Sequence, residues 1–186
     1  MIYLASNSPR RAQLLQQIGV EFTVVIAPVE EKIKENESAE SYVLRLALEK
    51  AAAGFANSAQ DRPVLGADTI VVIDRNILEK PTNQAHAKKM LQLLSGRTHQ
   101  VFTAIALVDG GCSKTLLVKT DVSFKALNDQ EIAEYWLSGE PLDKAGGYAI
   151  QGLAGKFITN ISGSYSAVVG LPLYETDLLI KDFIGT

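Results

Sequence analysis

Hydrophobic positions along this chain recur with the period of a helix in some segments and of a strand in others, and the two kinds of segment alternate. Residues 2–6 read as a short buried strand. Ser8, Pro9 and Gly19 then bracket a helix, with Ser8 at the N-cap, Pro9 at the first helical position and Gly19 past the end. Ala12, Leu14, Leu15 and Ile18 give it an apolar face. A strand is predicted at 22–26, followed by a polar, acidic loop over 28–37. Ser38 is placed to cap a long helix to about residue 56, with Val43, Leu46, Ala47 and Lys50 at helical spacing.

The segment 64–73 is a third strand, apolar except at Asp68 and Thr69. Asp74-Arg75-Asn76 turns it into a hairpin through Ile77-Leu78. A helix over 83–95 is closed by Gly96. Two longer strands, 99–108 and 115–126, flank the turn Asp109-Gly110-Gly111. In the second, Val118, Thr120, Val122 and Phe124 alternate with Lys119, Asp121, Ser123 and Lys125, the signature of a sheet with one wet face. Asn128 and Glu131 open a further helix in capping-box style, ending at Gly139. A glycine-rich stretch follows, with short strands predicted at about 147–151 and 156–161. A last helix is predicted over 172–183. The pattern shows no repeat and no linker. It predicts an α/β fold with a mixed sheet, one domain over residues 1–186 in two lobes.

Composition narrows the function. The chain has 186 residues, 47% hydrophobic and 21% charged, which suits a globular domain with a substantial core. A formal net charge of -3 excludes an overall basic field for gripping nucleic acid. Cys112 is the single cysteine, so no internal disulfide and no thiolate zinc site can form, and a reducing compartment is expected. The N-terminus lacks the pattern of a signal peptide. No apolar run reaches the roughly 18 residues of a membrane span. A cytoplasmic protein is the expectation.

Some residues sit where the local pattern disfavours them. Arg10 and Arg11 fall in the first turn of the first helix, where each cation costs roughly 0.3–1 kcal/mol. Free backbone N–H groups at the same end attract anions, and a guanidinium fork matches phosphate. These arginines are either a phosphate cradle or side chains that are solvated or paired with local acids. Asp68 lies in a strand too apolar to hold a lone carboxylate cheaply, so it is a general base, a metal ligand, or a structural acid satisfied locally. Lys50, on the apolar side of its helix, needs a partner. Lys80 ends a hairpin strand, and Glu30-Glu31 sit in the acidic loop; both are readable as plain surface residues.

Nucleotide-loop fingerprints, zinc-protease motifs and serine elbows are absent. The two histidines, His86 and His99, have no supporting spacing and read as structural or surface residues. Carboxylate, metal, Arg and Lys chemistry remains, which suits hydrolysis at phosphorus.

Ser6-Asn7-Ser8-Pro9-Arg10-Arg11, Glu30-Glu31, Lys50, Gly66-Ala67-Asp68-Thr69, Glu79-Lys80-Pro81 and the stretch from Asp143-Lys144 to Gln151-Gly152 occur in this order. With them the chain resembles the Maf family of nucleoside triphosphate pyrophosphatases, from Tyr3 to the final helix. Asn7 stands where the family usually has glycine. The resemblance implies an elongated two-lobed α/β fold shared with the inosine triphosphate pyrophosphatases, with a nucleotide cleft between the lobes. It implies cleavage between the α- and β-phosphates with a divalent metal, Mg2+ or Mn2+, in a cytoplasmic and often dimeric enzyme, and a link to septum formation. It further implies a dTTP/UTP subgroup marked by Arg10, Thr69 and Gln151. Under this resemblance Asp68 is the general base or helps to hold metal, and Glu31 is the further metal ligand. Ser8, Arg11, Lys50 and Lys80 hold the phosphates. The alternatives are a 7-methyl-GTP pyrophosphatase, a nucleotide-binding division regulator without turnover, and a metal-dependent phosphatase of another substrate class.

Overall fold

The computed structural model describes residues 1–26 and 28–185. Its centre is a seven-stranded mixed sheet in the order β2-β1-β3-β5-β6-β7, with β4 paired to β3. Strands β1 (Ile2–Ala5) and β2 (Phe22–Val24) run parallel around helix α1 (Pro9–Gln17). Helix α2 (Ala39–Ala56) carries the chain across to β3 (Val64–Ile73), which is parallel to β1. The remaining pairings, β3 with β4 (Asn76–Leu78) and β5 (Thr98–Asp109), β5 with β6 (Cys112–Phe124), and β6 with β7 (Ile158–Ser162), are antiparallel. Helices α3 (Gln84–Leu94), α4 (Asp129–Leu137), α5 (Tyr165–Val169) and α6 (Leu173–Ile184) complete the fold.

The apolar run of β3 follows from burial on both faces. Ile70 and Val72 pack under α2 with Tyr42, Val43, Leu46 and Ala47. On the opposite face the core divides. Leu65 and Ala67 join Ile2, Leu4, Leu14 and Leu15 in one cluster, and Val71 and Ile73 join Met90, Leu91, Phe124 and Phe157 in another. This division under one continuous sheet matches the expected α/β architecture with a mixed sheet.

The caps set most boundaries as expected. Ser38 Oγ accepts from the Ser41 amide at 3.2 Å, and Asn83 Oδ1 accepts from the His86 amide at 2.9 Å. Asn128 and Glu131 form a complete capping box. Some expectations fail. Ser8 holds the N-cap position of α1, but its side chain caps nothing; its own amide donates to Ser6 Oγ at 3.1 Å. The strand expected at 147–151 is absent. Gly147 takes φ of 72°, a left-handed value that an extended strand excludes, at the end of a 3-10 turn over Ala145–Gly147, and residues 150–152 form a further turn. The short helix α5 lies after Gly163, where the hydrophobic pattern predicts no element. Among the described residues no helix is long and apolar enough to cross a membrane.

Candidate active site

The site begins with a gap in strand pairing. On one edge β3 pairs with β5 from Val64 to Val72. On the other, β1 stops at Ala5 opposite Gly66, and β4 begins with Leu78 opposite Val71. Residues 67–70 have no strand partner on that edge. A cleft of about 580 Å3 opens there. Successive side chains of a strand point to opposite faces, so Asp68 and Thr69 diverge, yet both reach this opening. Ser8, Arg10, Arg11, Glu31, Lys50, Lys80 and Gln151 also line it, so one cleft gathers every site residue expected from the sequence.

On the α2 side stands an alternating cluster of charge. Lys50 Nζ lies 2.6 Å from Asp68 Oδ1 and 2.6 Å from Glu31 Oε1. Lys80 Nζ reaches Glu31 Oε2 at 3.4 Å. Asp68 is buried, and Lys50 is the partner its carboxylate requires. Burial works to raise the Glu31 carboxyl pKa, but Lys50 and then Lys80 hold it below the ordinary carboxylate value. The close approach has a backbone cause. A Cβ at Gly66 would collide with the Ala47 carbonyl and the Ala51 amide of α2, so glycine lets the helix settle onto β3 and brings Lys50 over Asp68.

On the other face Arg11 is anchored rather than solvated. Its Nε donates to the Gly170 carbonyl at 2.8 Å, Nη2 to Thr69 Oγ1 at 3.3 Å and Nη1 to Ser6 Oγ at 3.5 Å. Burial lowers its pKa, and the charges of Asp68 and Glu31 oppose that shift. Thr69 Oγ1 lies 3.1 Å from Thr103 Oγ1, which donates to the Ala167 carbonyl at 2.7 Å. Arg10 lines the cleft beside the segment that leads to Gln151. Its charge, after that of Lys144, helps to hold the Asp143 carboxyl below its ordinary value.

Further residues outside the set expected from the sequence line the cleft or, like the fully buried Thr103 behind Thr69, support it. Thr103 was readable in principle, as a hydroxyl in an apolar strand directly opposite Thr69 in register. Tyr42 donates to Glu79 Oε1 at 3.4 Å. Its hydroxyl pKa is raised by burial and then by the charges of Glu79, Asp68 and Glu31. Lys144 lines the same wall as Gln151 and pairs with Asp143. Arg45 lies behind the cleft. It ties the acidic loop to α2 through Glu37 at 2.6 Å and the Lys32 carbonyl at 2.9 Å, and so sets the course of the loop that bears Glu31.

A divalent cation is expected at this site. Among the described residues no group of three or more His, Cys, Asp or Glu side chains is arranged to hold one. Glu31 and Asp68 nevertheless converge on a single ammonium. Two hard carboxylates, with further oxygens from bound phosphates, are the donor set that Mg2+ takes in phosphate-transfer sites. The residues fit such an ion.

Comparison with known proteins places the chain in a family. Residues 1–183 match the family described as Maf-like protein. The chain is 57% identical over 182 residues to a protein named dTTP/UTP pyrophosphatase from Shigella dysenteriae serotype 1, covering 98% of this chain and 92% of that one. A protein of the same name from Escherichia coli O157:H7 gives the same identity and coverage. One from Pseudoalteromonas atlantica is 57% identical over 184 residues, covering 97% and 96%. A solved nucleoside-triphosphatase / dITP/XTP pyrophosphatase from Mycobacterium abscessus aligns at 18% identity and a TM-score of 0.42, over 68% of this chain and 74% of that one. The family match over residues 1–183 and the 57% identity to these pyrophosphatases over nearly the whole chain show that the chain belongs to the Maf-like protein family.

Proposed function

We propose that this chain hydrolyses nucleoside triphosphates, with dTTP and UTP as preferred substrates, to the nucleoside monophosphate and pyrophosphate. The observation that carries the reading is the buried Asp68 carboxylate, held by Lys50 at a cleft whose far wall presents Arg11. The names of the relatives point to the same pair of substrates.

The residues divide the work by their chemistry. Asp68 gives Oδ1 to Lys50. Among the described residues no hydrogen bond engages its Oδ2, which is left to take the proton of a water attacking the α-phosphorus. That attack forms the new P–O bond as the bond from the α-phosphorus to the bridging oxygen breaks. Arg11, Lys50 and Lys80 offset the charge that gathers on the departing pyrophosphate. The backbone at Ser8, rather than its unengaged side-chain cap, opens the α1 N-terminus toward the phosphates. A divalent metal would be held by Glu31 with Asp68, the Asp68 carboxylate then activating the water by holding the metal rather than as a free base, and it would supply Lewis-acid charge.

Base choice falls to Arg10, Thr69 and Gln151. A uracil or thymine ring offers two carbonyl acceptors and one N3–H donor. The Gln151 amide both donates and accepts, and Arg10 only donates. Cytosine presents an amino donor where Arg10 needs an acceptor. The single exposed cysteine, Cys112, fits a reducing cytoplasm.

The deciding experiment measures pyrophosphate release with Mg2+ from dTTP, UTP, CTP, GTP and 7-methyl-GTP. The expected result is the highest kcat/KM for dTTP and UTP, and a loss of at least about 100-fold in kcat for Asp68→Asn. Preference for a guanine nucleotide, or release of orthophosphate, overturns the proposal.

A further inference from the structure

Gln151 is exposed at the cleft wall, in a segment with no regular secondary structure. A side chain that selects a base must nevertheless be held in place, because hydrogen-bond selectivity depends on geometry. The backbone around it is secured from behind. Tyr135, buried on α4, packs its ring edge-on to Phe157 with centroids 5.3 Å apart. Its hydroxyl accepts from the Ala149 amide at 3.2 Å and donates to Glu140 Oε1 at 2.7 Å. Glu140 Oε2 accepts from the Leu153 amide at 2.8 Å, and Oε1 from the Ala154 amide at 3.3 Å. Amides on both sides of Gln151 therefore end on one phenol–carboxylate pair.

The approach is tight enough to dictate sequence. A Cβ at Gly152 would collide with the Glu140 carboxylate, so the residue after Gln151 must be glycine for the pair to close. The Gly152 amide donates to the Ala149 carbonyl at 3.1 Å, which folds the segment into a turn with Gln151 at its exposed end. Glu140 is not part of the cleft lining, and its oxygens are taken up by the phenol and the two amides. Burial alone would raise its carboxyl pKa. Tyr135 and the amides hold it below the ordinary value, so the carboxylate that binds the loop is present at neutral pH.

We propose that Glu140, acting with Tyr135, is the positioning residue for Gln151 and so sets the discrimination between uracil or thymine and cytosine. The proposal rests on Gln151 reading the base. Glu140→Gln keeps the shape but turns one acceptor into a donor facing the amides or the phenol. Its expected effect is a drop of about tenfold in the UTP-over-CTP ratio of kcat/KM, carried by KM for UTP, with kcat within about threefold of wild type. Gln151→Ala should lower the same ratio, and adding Glu140→Gln to it should lower it no further. Amide exchange at Ala149, Leu153 and Ala154 should quicken in Glu140→Gln. If that variant does not fold, Tyr135→Phe removes the phenol's hydrogen bonds alone and carries the same comparison. An unchanged ratio in Glu140→Gln while Gln151→Ala shifts it defeats the positioning role and leaves the base-reading role intact. An unchanged ratio in Gln151→Ala defeats both. A further loss in the double variant shows that Glu140 acts elsewhere and overturns the proposal.

Discussion

Lys50 Nζ sits 2.6 Å from Asp68 Oδ1, with the two side chains only 13% and 9% exposed. The pair is costly to break and cheap to replace. Removing one partner leaves a charge in a poorly solvated site, whereas removing both leaves only Glu31, which is half-exposed and still paired with Lys80. Lys50→Met is expected to cost about 3 kcal/mol of unfolding free energy, because Asp68 is then left unpaired. The double variant Lys50→Met with Asp68→Leu is expected to recover most of that loss and to release no pyrophosphate. Urea titration of both variants beside wild type checks this. A double variant less stable than Lys50→Met alone would mean that the pair holds the fold rather than the chemistry.

That pair was half-visible in the sequence. Asp68 intrudes on an apolar strand, and Lys50 falls on the apolar stripe of α2, so each carried a local contradiction that called for a partner. Their meeting was not visible, because it depends on the distance between α2 and β3. The opening itself was less legible still. It exists because β1 and β4 each cover only one end of β3, and strand length at an edge is set by where neighbouring loops leave the sheet. The anchoring of Arg11 on Gly170, 159 positions away, lies beyond any periodicity. No strand forms at 147–151 because Gly147 takes a left-handed φ, and a glycine in sequence does not disclose which sign of φ it will take.

Arg11 spreads its hydrogen bonds over three directions, to Gly170 at 2.8 Å, Thr69 at 3.3 Å and Ser6 at 3.5 Å. A lysine keeps the charge but not the fork. Arg11→Lys is expected to lower kcat/KM for UTP by about 30-fold, although charge is conserved. Steady-state kinetics with UTP and Mg2+ measure it. Wild-type kinetics in this variant would reduce the cradle to a point charge and remove the argument from planar geometry.

His99 gives stability a specific pH window. It is 1% exposed, its Nε2 lies 2.7 Å from Tyr148 Oη, and Nδ1 has no hydrogen-bond partner among the described residues. Burial pushes its pKa from 6.5 down to about 4. Above 6.5 the ring is neutral in both the folded and unfolded chain, and the fold bears no cost from it. As pH falls from 6.5 toward 4 the unfolded chain takes a proton that the folded one refuses, so stability is lost across that interval. The expected loss is about 3 kcal/mol. Urea titrations from pH 6.5 to 4 should show this slope in wild type and a clearly shallower one in His99→Gln, whose amide does not titrate, the remainder below about pH 5 coming from carboxylates such as Glu31 and Glu140 that are held below their ordinary values. The same slope in both proteins would assign it to other groups.

Gly66 offers the sharpest separation between fold and function, because it lies outside the charge cluster yet sets its spacing. The added methyl of Gly66→Ala would meet the Ala47 carbonyl and the Ala51 amide, which are backbone atoms of α2 and cannot rotate away as a side chain can. The helix must retreat from β3 or bend. Overpacking of this kind typically costs about 1–3 kcal/mol. The displaced part of α2 carries Lys50, so the 2.6 Å contacts to Asp68 and Glu31 lengthen together. Catalysis should therefore fall by more than the folded fraction does. The expected outcome is a protein that remains folded at 25 °C, with kcat reduced by about tenfold or more. Its unfolding free energy, measured in parallel, separates the two effects. Full kcat in a destabilised Gly66→Ala protein would show that the close contact of α2 with β3 serves packing alone and does not tune the Lys50–Asp68 distance.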